Sequence, residues 1–218
     1  MGNLVHEKIE IASSGRVVAD LDKVTHEVFP VSIDPKEGVK LQRDNQEENP
    51  GTVVEIGLGY GFAALNVIAG MNLAEKSKFR LLTIDPNQKN RFANLGLQLL
   101  REVGAYRQIE FHEEPSEFVL PRLLKAGESA DFAVVDGNHR FEHVFVDLFF
   151  LGSLLKPGSL IFLDDLQLPG IRKAVSFFTK NLGWKVEAES NTSVNHHWCT
   201  LRTRTKVLER KFDSFTDF

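Results

Sequence analysis

Cysteine is almost missing from this 218-residue chain: a single one, Cys199, stands beside Trp198. One thiol excludes an intramolecular disulfide and a cysteine-built zinc site, and its apolar neighbour marks it as a packed side chain rather than a nucleophile. Also absent is an uninterrupted apolar run of membrane-spanning length, and the first residues carry no apolar signal segment. Neither sign of charge dominates: 26 Lys and Arg against 30 Asp and Glu leave a net charge of −4, so no basic field advertises a nucleic acid or a membrane surface. The basic run at residues 202–211 is explained as well by a solvated tail. There is no internal repeat, no G-x-S-x-G elbow and no Walker lysine, which removes the serine-hydrolase and P-loop readings. With 42% hydrophobic residues, the expectation is a cytoplasmic protein with a well-formed core.

What is present is an alternating pattern. An N-terminal helical segment, residues 1–50, is set off from the main body by a polar stretch at 43–51 and is expected to cover substrate or cofactor; Pro30 and Pro35 interrupt its periodicity. The main domain, residues 51–218, begins with the short apolar strand "TVVEIG" and the helix "FAALNVIAGM". A strand "FRLLTID" and one helix over 88–103 follow, then a weak strand "IEFHE", a helix around Pro121, and a clear strand "ADFAVVD". Phe141, Val144, Phe145 and Leu148 recur at helical spacing, "SLIFLDD" is a further strand, and Pro169 and Gly183 bracket the next helix. The end, "WKVEAE" and "HWCTLRT", reads as a hairpin with His196 and His197 on opposite faces. Apolar strands alternating with helices make an α/β, Rossmann-like, mostly parallel sheet covered on both faces, with a C-terminal antiparallel hairpin. In such sheets ligands lie across the carboxyl ends of the strands, which brings Gly57, Asp85, Asp136 and Asp164 to one edge.

The first strand runs into Gly57, Gly59 and Gly61, which accept positive φ and let a ligand approach the backbone. The dinucleotide fingerprint needs a glycine where Phe62 stands. The run is instead E-x-G-x-G-x-G from Glu55, which resembles the first motif of class I S-adenosylmethionine-dependent methyltransferases. That resemblance gives the glycine loop and Glu55 the amino-acid end of the cofactor, with the Glu55 carboxylate against its ammonium. Asp85, 26 residues after Gly59, is placed to accept from both ribose hydroxyls, a role that serves NAD equally. Ser116 and Glu117, after the third strand, become candidate adenine contacts, and Glu37 a candidate contact from the N-terminal segment.

Asp136 closes one strand and Asp164-Asp165 the next. Three crowded carboxylates repel unless protonated or bridged by a cation, and hard oxygens suit Mg²⁺. The stretch "DGNHRFEHVFVDLFFLGSLLKPGSLIFLDD" is similar to cation-dependent O-methyltransferases, most of all the macrocin-type branch. The resemblance spans residues 52–182. It implies Asp136, Asp164 and Asp165 as Mg²⁺ ligands, Asp136 also facing the cofactor. It puts His139, three residues after Asp136, where the catechol-type pattern carries its general base; Asn138 stands where some macrocin-type members carry an Asp. The Asp-Gly-Asn-His run is unlike the Asp/Asn-Pro-Pro-aromatic signature of base-amine methyltransferases, which argues against a nucleic-acid substrate. The implied protein is a methyltransferase acting on a small hydroxylated molecule, free of membrane partners, with homo-oligomerisation open. An NAD-linked oxidoreductase and a catalytically silent binding module stand as the alternatives.

Overall fold

A computed structural model describes residues 2–76, 78–190, 196–204, 206–207 and 214–218. The chain starts with α1 (Gly2–Ser13), a small antiparallel pair β1 (Arg16–Val18) and β2 (Thr25–Glu27), and α2 (Pro35–Glu48). There follow β3 (Thr52–Ile56), α3 (Phe62–Leu73), β4 (Arg80–Ile84), α4 (Gln88–Phe92), α5 (Leu95–Glu102) and β5 (Ile109–His112). The second half holds α6 (Ser116–Lys125), β6 (Ala130–Val135), α7 (Phe141–Leu154), β7 (Leu155–Leu163), α8 (Pro169–Leu182), β8 (Lys185–Glu189) and β9 (Cys199–Arg202). Seven strands form one sheet in the order β5-β4-β3-β6-β7-β9-β8. The pairings from β5 through β7 are parallel, and the β7–β9 and β9–β8 pairings are antiparallel, as the strand pattern predicts.

Alternate residues of each strand enter different cores. Val53, Leu81, Phe132 and Phe162 pack with α3 and α5. Val54, Leu82, Ala133 and Ile161 pack with α6, α7 and α8. Both faces are thus covered, which is why the strands read as continuous apolar runs. Among the described residues no helix is long and apolar enough to cross a membrane.

Three local readings are corrected. The polar stretch 43–51 is largely helical: α2 starts at an Asp34 cap with a Glu37 capping box and runs to Glu48. It lies on α3 through small residues and amides rather than an apolar stripe. A Cβ on Gly38 would fall 2.9 Å from the Asn66 amide, and Gln42 donates to Asn66 at 2.6 Å. The single helix over 88–103 is two, because Ala93 and Asn94 both take left-handed φ, 48° and 56°. The β1–β2 pair, three residues per strand, was below the reach of periodicity. Of the basic run 202–211, residues 205 and 208–211 lie outside the described residues.

Candidate active site

The register places the expected residues side by side. Ile56 pairs with Ile84 on one side and Val135 on the other, and Val135 pairs with Leu163. The next residues, Gly57, Asp85, Asp136 and Asp164, therefore share one edge. A cavity of about 560 Å³ opens there, within the range of small-molecule and cofactor sites. Gly57, Gly59, Asp85, Ser116, Glu117, Asp136 and His139 line it.

The three glycines do different work. Gly57 has φ +93°, and a Cβ there would overlap the Asp136 carbonyl, 2.6 Å from its carbon. Gly61 has φ +81°, with Gly96 Cα only 2.9 Å from any added Cβ. Both are needed for close backbone packing. Gly59, φ +52°, has nothing within 4 Å and is the one facing open cavity. Its N–H donates to Asp85 Oδ2 at 2.8 Å.

Asp85 is nearly saturated. Oδ2 also accepts from Gln88 Nε2 at 3.0 Å, and Oδ1 from Asn87 N at 2.7 Å. A carboxylate offers about four lone-pair positions, so one further donor fits rather than the two ribose hydroxyls expected. Gln88, missed in the sequence, ties loop to strand by also donating to Gly59 O at 2.7 Å.

Glu55 is a correction. It is fully buried and does not line the cavity. Its Oε2 accepts from the Thr83 hydroxyl at 2.6 Å, bracing β3 against β4. Burial pushes its carboxyl up to about 8, and in this position it braces the strand behind the loop rather than lining the cavity.

Asp164 and Asp165, adjacent in sequence, part company. Asp165 takes a left-handed φ of 61°, which aspartate tolerates better than most residues. Among the described residues, ligand-type atoms gather within 4.8 Å in two groups: Asp136, His139 and Asp165, and separately Glu37, Asp164 and His196. His139 Nε2 sits 2.9 Å from Asp165 Oδ2 and 3.6 Å from Asp136 Oδ1. Mg²⁺ asks for oxygens in near-octahedral array. Here the three aspartates do not gather on one point, and an imidazole stands between two of them. The arrangement does not fit the expected Mg²⁺ set.

Charge in this group is coupled. Burial raises Asp136 to about 7, with His139 pulling it down and Asp164 pushing it up. Hydrogen bonding to Asp136 and Asp165 lifts His139 to about 10. His139 therefore lies between two carboxyl groups whose hydrogen bonds favour its protonated form, and proton exchange belongs to the trio as a unit.

Behind Ser116 lies Asp147 of α7, 1% exposed and raised to about 6 by burial, with the Ser116 hydroxyl opposing. A folded-state value above the unfolded one of about 3.9 stabilises nothing extra at neutral pH; the benefit exists at low pH and is lost as pH rises through about 6. Asp147→Asn is therefore expected to raise unfolding free energy at pH 8 by on the order of 2 kcal/mol. The difference should shrink towards zero at pH 4, as read by denaturant titration at both values. His196, expected on a strand, precedes β9; Trp198 stacks on Phe162 with ring centroids 5.6 Å apart, and His197 N donates to Gln167 at 2.9 Å.

A family model described as "Methyltransferase domain" matches residues 54–166. Among solved structures, the O-methyltransferase from Bacillus cereus in complex with SAH is similar at TM-score 0.71 and 15% identity, over 94% of this chain and 92% of that one. The O-methyltransferase TomG from Streptomyces achromogenes, involved in tomaymycin synthesis and solved with SAM, is similar at 0.71 and 17%, over 94% and 91%. The SAH-bound methyltransferase PaMTH1 from Podospora anserina is similar at 0.67 and 15%, over 94% and 89%. At such identities the likeness is one of fold. The family match, covering more than half of the residues, carries the assignment: the chain belongs to the methyltransferase domain family.

Proposed function

We propose that this protein transfers the methyl group of S-adenosylmethionine to a hydroxyl oxygen of a small molecule. The observation that carries the reading is the single strand-end row in which Gly59 faces open cavity, Asp85 lies beside it, and the Asp136–His139 pair closes the far side. Neighbours of the same fold were solved with SAH or SAM, which supports the same cofactor here.

In this reading the loop backbone at Gly57 and Gly59 receives the amino-acid end of the cofactor, and Glu55 holds that loop's strand from below. Asp85 accepts one ribose hydroxyl through Oδ1. Ser116 and Glu117 lie where the adenine end falls. The acceptor hydroxyl meets Asp136 and His139; its proton enters the Asp136–His139–Asp165 group as the oxygen attacks the sulfonium methyl carbon. The carbon–sulfur bond breaks and S-adenosylhomocysteine leaves. Most of the acceleration comes from holding two reactants in line.

Calorimetric titration tests the cofactor: S-adenosylhomocysteine should bind at one site per chain and NAD should not. Asp85→Ala is expected to weaken that binding about 10- to 100-fold, the worth of one hydrogen bond to a charged acceptor. Unchanged affinity in this variant, or saturable NAD binding, overturns the reading. Methyl transfer across a panel of phenols and polyols then separates an active enzyme from a silent module.

A further inference from the structure

The second group of ligand-type side chains has no part in that reaction. Glu37 comes from the first turn of α2, Asp164 directly follows β7, and His196 precedes β9. Their ligand atoms lie within 4.8 Å of one another. His196 Nδ1 stands 3.8 Å from Glu37 Oε2 and 3.8 Å from Asp164 Oδ2, with the two carboxylate side chains 2% exposed.

Both carboxylates are aimed by backbone amides. Asp34 N donates to Glu37 Oε2 at 2.5 Å, and Asp165 N to Asp164 Oδ1 at 2.7 Å. Hydrogen bonds of this kind orient metal-ligating carboxylates. Glu37 Oε1 is buried with no hydrogen-bond partner, an acceptor that costs free energy unless something fills it.

Spacing and charge point to the occupant. A separation of 3.8 Å lies near the ~3.4 Å edge of a tetrahedron built on ~2.1 Å metal–ligand bonds. One nitrogen and two oxygens suit a borderline ion of the zinc type, whereas Mg²⁺ and Ca²⁺ prefer oxygen alone. Two carboxylates, a neutral imidazole and a divalent ion sum to zero charge, so the bound set would carry no net charge into the interior.

We propose that Glu37, Asp164 and His196 bind a zinc-type divalent ion as a structural tie. It fastens three segments remote in sequence, and with α2 it fixes residues 31–33, which form one wall of the cavity. The fourth position is open to water or to Glu37 Oε1. The tie also accounts for Asp164 grouping with Glu37 and His196 rather than with Asp136 and Asp165.

The full chain, stripped with EDTA and dialysed into metal-free buffer, is titrated with ZnCl₂ alone by calorimetry, with bound zinc counted by elemental analysis. A zinc ion is expected to bind stoichiometrically and raise Tm, and Co²⁺ in its place should give the intense visible bands of four-coordinate cobalt. E37Q and H196A should each weaken that site at least tenfold and abolish the Tm rise, while H139A, in the other cluster, keeps both. Circular dichroism of the metal-free variants checks folding; if E37Q does not fold, H196A decides. The proposal is overturned by no stoichiometric zinc, by full binding in H196A, or by loss in H139A with retention in H196A. These readouts do not depend on methyl transfer, so failure here leaves the proposed activity standing, and the reverse holds too.

Discussion

Gly57→Ala is expected to cost more than about 4 kcal/mol of folding stability, enough to unfold much of the protein at 37 °C, whereas Gly59→Ala should cost about 1 kcal/mol. The two glycines are neighbours in the motif but not in physics. At Gly57 the new methyl would overlap the Asp136 carbonyl and lie 2.9 Å from Gly137 Cα. Those are backbone atoms, and they cannot retreat without breaking the 2.9 Å bond from Asp136 N to Ile56 O that joins β6 to β3. A φ of +93° adds strain that no rotamer relieves. At Gly59 φ is +52°, inside the left-handed region, and a methyl meets open space. That space is the cavity, so Gly59→Ala should keep a near-native Tm while losing most of its affinity for S-adenosylhomocysteine. Thermal denaturation of both variants, followed by calorimetry on Gly59→Ala, reads the contrast. Equal Tm losses would show that Gly57 is not the packing glycine.

That contrast marks where the sequence is informative. The row Gly57, Asp85, Asp136 and Asp164 was legible because strand periodicity and the carboxyl-edge rule need only local pattern and topology. The division of labour among the glycines was not, since it depends on Asp136 and Gly96, partners 79 and 35 residues away. Helix α2 hid because its buried face is Glu37, Gly38, Leu41, Asp44 and Asn45, which carries no apolar stripe. The break between α4 and α5 rests on positive φ at Ala93 and Asn94; asparagine tolerates that conformation, but alanine gives no signal of it. The adjacent aspartates looked like one ligand pair. One left-handed residue, Asp165, sends its carboxylate to His139 while Asp164 faces Glu37 and His196. The pairing of His196 with Glu37, across 159 positions, had no local signature at all.

His139→Ala should lower methyl transfer about a thousandfold while leaving S-adenosylhomocysteine affinity within about threefold. The rate loss sits inside the 10²–10⁴ range for a positioned proton-transfer group. His139 lies between two half-buried carboxyl groups, 2.9 Å from Asp165 and 3.6 Å from Asp136, which favour its protonated form. Without it the two anions face each other unscreened, and Asp136, already raised to about 7 by burial, loses the partner that pulls it down. Its carboxyl then titrates at still higher pH. The sign follows: if ionised Asp136 receives the acceptor's proton, residual activity in His139→Ala climbs with pH to a higher midpoint than in the wild type. If His139 acted alone as a neutral base, the variant would show no such rise, because nothing left in the trio would titrate the reaction. Initial rates of S-adenosylhomocysteine release between pH 6 and 10, with one active phenol from the panel, distinguish a shared proton site from a solitary imidazole.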